Sequence, residues 1–321
     1  MTAAGTGERP ARSGWARVGR AAYLAVAAAA LAWLGWDQRR ELAVLVDDAR
    51  PGLLVVALAV TGLQLWVAAA FWSAALAALG QSVPRAAVLD ASARSLLARY
   101  LPGSLWYAVG RGALLRHQAS RPALAVVATL EIGLSVVVGF VLGTGLLLAT
   151  RQLAPGVGAL GATGVVIAAA GCSPPVLNRA LAWWARRRGA AAVRLGWRPY
   201  LGMVGWMALF WVVSAGSFTL YLHAFPASVG EAGNPPVLEV AGAFLVARVV
   251  GALALFAPQG LGVFEVTLAT LLASSAAGPD PSLGGLVLVI AGYRALVLVR
   301  DGLAVTTAEA LHSRRQDSPP P

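Results

Sequence analysis

Four charged side chains stand where an apolar chain should not carry them. Glu131, Arg248, Glu265 and Arg294 each lie well inside runs of Ala, Val, Leu and Gly. A charge at the centre of a membrane helix costs on the order of 3 kcal/mol even on the mild insertion scale. Four of them imply mutual pairing, a water-filled cavity, or both. Two readings stand. In one, Glu131 and Glu265 neutralise Arg248 and Arg294 as internal struts. In the other, the charges meet a ligand, since ionisable groups inside a membrane are functional candidates by default. Arg300 and Asp301 fall nearer the end of the last apolar run, where they can reach water.

The charges gather around two interruptions. Residues 97–116 read LARYLPGSLWYAVGRGALLR, with Arg99, Arg111 and Arg116 around Pro102-Gly103. Pro102 has no N–H and disfavours the helical conformation at Leu101, and Gly103 loosens the turn. Ser104 can then cap a new helix. Backbone groups freed at a break cannot be satisfied by lipid, so such a break survives only inside protein or beside water. The restarted helix offers its positive N-terminal end, with arginines nearby, to an anionic headgroup. The alternative is a kinked helix whose arginines snorkel to the surface. A second interruption, Ala257-Pro258-Gln259-Gly260-Leu261-Gly262, places Glu265 in the first turn of the helix that follows. There the helix dipole favours its ionised form.

The elements that must position these groups belong to a membrane protein. The chain has 321 residues, 58% hydrophobic and 12% charged. Roughly twice that charged fraction is usual in a soluble domain. Its basic side chains other than three histidines are all Arg, and the net charge is +11. Most of that charge falls in short loops, where positive-inside bias explains it without nucleic acid. Cys172 is the single cysteine, which excludes an internal disulfide. His117, His223 and His312 lie far apart without ligand spacing, so neither a metal nor a cofactor is expected.

Taken in order, residues 1–20 form a basic cytosolic tail and 21–36 a first apolar run, ending in Trp36-Asp37 without a cleavage site. Residues 37–50 are mildly acidic and placed outside. Residues 52–79 cross back. Residues 82–100 form a helix, with Asp90 and Arg94 paired, that feeds the Pro-Gly break. Residues 122–150 and 156–171 span out and in, and six arginines between 178 and 198 mark the inside. Trp183-Trp184 beside Arg186–Arg188 suggest an interfacial helix. Residues 200–222 span out, to an outer loop at 223–236. Then come the second broken segment, 237–277, and a last helix over 283–311.

The expected fold is all-α and polytopic. It has six full spans plus two Pro/Gly-broken hairpins entering from opposite sides, within a transmembrane domain at 21–311. Residues 312–321 form a second cytosolic tail, so both termini face the cytosol. Broken segments in corresponding positions of two halves point to a transporter site near the midplane. Gly156-x-Gly158-x-x-Gly161 follows no strand and reads as helix packing. Ser135, Gly139 and Gly143, spaced by four, read as another packing face.

RYLPGSLWYAVGRGALL, the LEIGL around Glu131, PQGLGVFE and the GYRALVL around Arg294 together resemble the lysylphosphatidylglycerol synthase/flippase transmembrane family. That family includes the membrane half of multiple peptide resistance factor. The resemblance runs from about residue 21 to 311. It implies a flippase-like domain that moves a lipid headgroup between leaflets of the bacterial cytoplasmic membrane. The cargo it implies is an anionic or aminoacylated phospholipid, or a polyprenyl-phosphate-linked lipid. By resemblance, the lipid-binding residues are Arg99, Pro102, Gly103 and Arg111 at the first break, and Arg248, Pro258, Gly260, Gly262 and Glu265 at the second. Glu131, Tyr293 and Arg294 lie nearby. The chain departs from the pattern at Gln259, where Gly is usual, and at Ile132, where Arg often follows the Glu. Because about ten residues follow the last span, lysyl transfer by this chain is not expected. A separate synthase or transferase is the expected partner, and a homo-oligomer stays open. Two other functions stay open: a membrane enzyme on a lipid phosphate with Glu265 or Glu131 as base, and a structural subunit of an envelope complex.

Overall fold

The computed structural model describes residues 47, 49–100, 106–153, 155–188, 194–226, 235–254, 258–273 and 283–317. The N-terminal tail, the apolar run at 21–36, and the Pro102-Gly103 break lie outside these. Among the described residues every regular element is helical. In order they are α1 (Pro51–Ala78), α2 (Arg85–Arg94), a 3-10 turn (Leu96–Tyr100) and α3 (Trp106–Leu115). There follow α4 (Arg121–Ala149), α5 (Pro155–Gly171), α6 (Pro174–Arg188) and α7 (Trp197–Leu222). The chain continues as α8 (Val237–Leu253), a 3-10 turn (Pro258–Gly260), α9 (Val263–Ala273) and α10 (Leu283–Asp317). By length and composition α1, α4 and α7 can each cross a membrane, and the α5–α6 pair adds a fourth if it counts as one bent span.

Local sequence accounts for the ends. α1 starts on Pro51, whose missing N–H costs nothing in a first turn. It stops in a Schellman motif at Gly80 (φ 71°), where Gly80 N–H donates to Ala77 O and Gln81 N–H to Leu76 O. α4 stops the same way, with Arg151 in the left-handed position (φ 58°). The helix expected over 82–100 is α-helical only to Arg94. Ser92 and Ser95 turn their hydroxyls onto the carbonyls of Val88 and Ser92, and the chain tightens into the 3-10 turn. The span expected at 156–171 is followed by a 53° bend, because Pro174 and Pro175 cannot continue the helix. Beyond the bend, α6 carries Trp183 with Arg187 stacked over its ring at 4.2 Å. The last helix runs past Leu311 to Asp317.

Packing sets the two ends of the bundle. At one end Arg50 N–H donates to Ala224 O, joining the start of α1 to the end of α7, and Gly242 of α8 lies against Leu146 and Leu147 of α4. At the other, Gln81 Oε1 accepts from Ser120 N–H, so the chain leaves α1 and enters α4 on one face. Arg94 joins α2 to Glu309 near the end of α10 there (2.8 Å), and Asp90 lies 3.6 Å from Arg94. The glycine spacings close helix pairs. A Cβ on Gly139 would meet the Trp211 ring at 2.9 Å, and one on Gly143 would meet Leu245 at 2.8 Å. Gly158 and Gly161 lie against Leu148 and Thr144 in the same way, so the fingerprint letters mark a packing seam. The core is aromatic at its centre, with Phe218 stacked on Phe244 and edge-on to Tyr293.

Candidate functional site

The turn that leads into the first interruption faces the second. The turn Leu96–Tyr100 packs against the turn Pro258–Gly260, and Arg99 and Gln259 both wall the space between. That space is a cavity of about 340 Å³ bounded by α1, α3, α4, α7 and α8. Next to it lies a second of about 60 Å³, walled by Gln64, Tyr100, Phe264, Tyr293 and Arg294 among others. Arg99, Arg248 and Gln259 belong to both walls. A larger concavity of about 950 Å³ between α1, α2 and α10 is mostly apolar. Its one guanidinium, Arg300, is held on Thr61 O and Gln64 Oε1, so the convergent charge is found at the smaller site.

The second break is built on left-handed backbone. Gln259, Gly260 and Gly262 have φ of 52°, 67° and 84°. Two are glycines, which adopt this conformation without strain. Gln259 is not, and it holds a side chain in backbone that favours glycine. Glu265 then fastens the turn. One carboxylate oxygen accepts from the Gly262 N–H at 2.7 Å, half of a capping box at the start of α9. The other pairs with Arg294 Nε from α10. Arg294 also donates to the Gln259 carbonyl at 3.2 Å. The side chain of Pro258 lies outside the described positions. Tyr293 shares a 2.7 Å hydrogen bond with Ser217.

The elements on either side of the first break are tied down from three directions. Arg111, on α3, is fully buried and donates to Glu131 of α4 at 3.0 Å. Its guanidinium lies over the rings of Trp72 at 4.8 Å and Tyr107 at 4.3 Å. Trp72 Nε1–H, from α1, donates to the other oxygen of Glu131 at 2.8 Å. Glu131 reaches the cavity wall, whereas Arg111 sits behind it. Arg99 donates to Asp301 at 3.3 Å, and the Tyr100 hydroxyl donates to the same oxygen at 2.9 Å. Asp301 Oδ1 also lies 2.6 Å from Arg300 Nε, although the two are not aligned as a hydrogen bond.

Glu265 with Arg294 is a pairing the strut reading allowed, and the others differ from it. Glu131 meets Arg111 instead of Arg248, because α3 lies against α4 on that side of the cavity. Arg248 has no carboxylate within ion-pair distance among the described residues. It rests over the Phe264 ring at 5.4 Å, beside Arg294 at 5.3 Å from the same ring. Arg300 and Asp301, expected to reach water, are 5% and 0% exposed, because α10 carries them in behind the 3-10 turn. Gln64, Trp72, Tyr100, Tyr107, Arg300 and Asp301 thus join the site without having been anticipated. The adjacency of Tyr100 to Arg99, and an indole N–H in the middle of an apolar run, were the available signals.

Five guanidiniums, those of Arg99, Arg111, Arg248, Arg294 and Arg300, thus answer to three carboxylates, leaving two positive charges over. Arg248, and Arg99, which shares Asp301 with Arg300, line the cavity. An arrangement of this kind suits an anion, and guanidinium forks match phosphate oxygens in particular. No group of three or more metal-ligating side chains occurs among the described residues.

Residues 20–299, most of the chain, match the family model described as the lysylphosphatidylglycerol synthase TM region. None of the curated proteins compared with the chain matches it. With its apolar helices this makes it a multi-pass membrane protein with a lipid-related role. The interrupted helices, the charges between them and the match over most of its length agree: the chain belongs to the lysylphosphatidylglycerol synthase transmembrane-region family.

Proposed function

We propose that this protein moves the headgroup of an anionic lipid between the leaflets of the bacterial cytoplasmic membrane, as a flippase. One observation carries this reading: a cavity between two helix breaks that carries more guanidinium than carboxylate. Neither the interrupted backbone nor the surplus charge is needed for a stable bundle, and both favour a headgroup crossing the apolar core. The same reading takes the molecule as six spans plus two hairpins. The first hairpin leaves and returns beside Gln81 and Ser120, and the second enters from the opposite end. Positive-inside bias then puts both termini in the cytosol. In this reading a separate synthase or transferase makes the cargo.

Reconstitution into vesicles holding a trace of a headgroup-labelled anionic lipid tests the proposal. Membrane-impermeant quenching of more than the outer-leaflet share of label is the expected result, reduced in Arg248→Ala vesicles. Quenching confined to the outer leaflet would sink it. Equal rates for folded wild-type and Arg248→Ala protein would remove the cavity from the path.

A further inference from the structure

We infer that the cavity selects a lipid phosphomonoester, a headgroup with close to two negative charges, over a phosphodiester or an aminoacylated lipid. The inference rests on the transport reading above and names its cargo. It starts from the surplus of two positive charges. Asp301 serves both Arg99 and Arg300, and among the described residues no carboxylate reaches Arg248. The intervening residues 101–105 and 255–257 bring no acidic side chain in sequence. A phosphodiester cancels one charge. A phosphomonoester carries about −1.5 to −2 at neutral pH and three strong acceptor oxygens, which matches the pair left over.

The acidic groups point the same way. An aminoacylated headgroup brings an ammonium that needs a carboxylate. Glu131 is already engaged through both oxygens, by Arg111 and Trp72. Glu265 is engaged through both, by Arg294 and the Gly262 N–H. A cationic cargo would have to share a carboxylate whose charge an arginine already compensates. The space is also of headgroup size. At about 340 Å³ it admits a phosphate with a small substituent, and Ile132, Val136 and Leu253 supply apolar wall for the chain that follows.

The test measures binding of short-chain phosphatidic acid, phosphatidylglycerol and phosphatidylcholine to the whole protein in detergent, at mildly alkaline pH. Phosphatidic acid is expected to bind about tenfold tighter than phosphatidylglycerol, with phosphatidylcholine not bound. Arg248→Gln removes the preference, and it raises the melting temperature of the lipid-free protein by deleting an uncompensated charge. Arg248→Lys keeps the charge without the fork and retains part of the preference. Phosphatidylglycerol binding as tightly as phosphatidic acid overturns the inference and leaves the transport reading in place. If neither anion binds, both fall. A folded Arg248 variant with unchanged preference also overturns the inference.

Discussion

Gly260 rests directly on the backbone of Gly251: a Cβ on Gly260 would overlap the Gly251 Cα and carbonyl. The second break is thus held against α8 by two residues with no side chain between them. The close approach brings Gln259, and the Arg294 that holds its carbonyl, beside Arg248.

A rank order follows for three substitutions. Gly260→Ala meets both backbone overlap and a left-handed φ, and should be the most destabilised of the three. Gly262→Ala has open space but φ 84°, so strain alone applies, about 1–2 kcal/mol. Gly251→Ala brings a Cβ to 3.1 Å from the Phe264 Cβ, a contact that a small helix shift relieves. Thermal unfolding in detergent should rank Gly260→Ala well below the other two. A Gly260→Ala protein as stable as wild type would show that the turn is not built this way.

Arg111 and Glu131 form an enclosed pair, and removing one partner strands the other. Arg111→Ala should cost on the order of 3–5 kcal/mol, seen as lost folded yield before any effect on lipid movement. Arg111→Met combined with Glu131→Gln should recover much of that loss, which a double-mutant cycle measures.

Asp301 compensates two arginines and accepts from one tyrosine, so its variants should separate by charge. Asp301→Asn leaves Arg99 and Arg300 without a carboxylate and should destabilise far more than Tyr100→Phe. The latter removes one hydrogen bond to a charged group, about 1.5–3 kcal/mol. Comparable melting temperatures for the two would contradict this division of roles.

Two glycines of α4 provide a paired test of the packing seam. Gly143→Ala drives a Cβ to 2.9 Å from the Val246 backbone nitrogen and should lose about 1–3 kcal/mol. Gly145→Ala meets nothing within 4 Å and should be neutral, or stabilising by up to about 1 kcal/mol through helix propensity. The difference in melting temperature between the two variants measures the seam.

The chemistry of the second break was legible in the chain because it is local. Pro258, the glycines and Glu265 act within a few residues of each other, and a carboxylate three residues past Gly262 is where a capping side chain must stand. Arg294 was legible as a charge in an apolar run. Its partner was legible only as one of two, Glu131 or Glu265, since pairing depends on which helices lie side by side. The same limit hid the true partner of Glu131, which lies twenty residues before it on α3. Arg300 and Asp301 were misjudged for another reason. Distance along a helix axis measures depth in a flat slab, and here a turn from another element covers the helix end.

On the transport reading proposed above, Arg248 lends the cavity an electrical character. Moving one elementary charge through 100 mV of membrane potential involves about 2.3 kcal/mol. A pair of hairpins that shifts while its arginines are uncompensated must do that work in one direction and recover it in the other. Filled by a dianion, the same hairpins carry no net charge and move without regard to the voltage. On that reading the Arg248 guanidinium over Phe264 makes the lipid-free return the voltage-sensitive half of the proposed cycle, with a sign that current measurements on oriented bilayers can read.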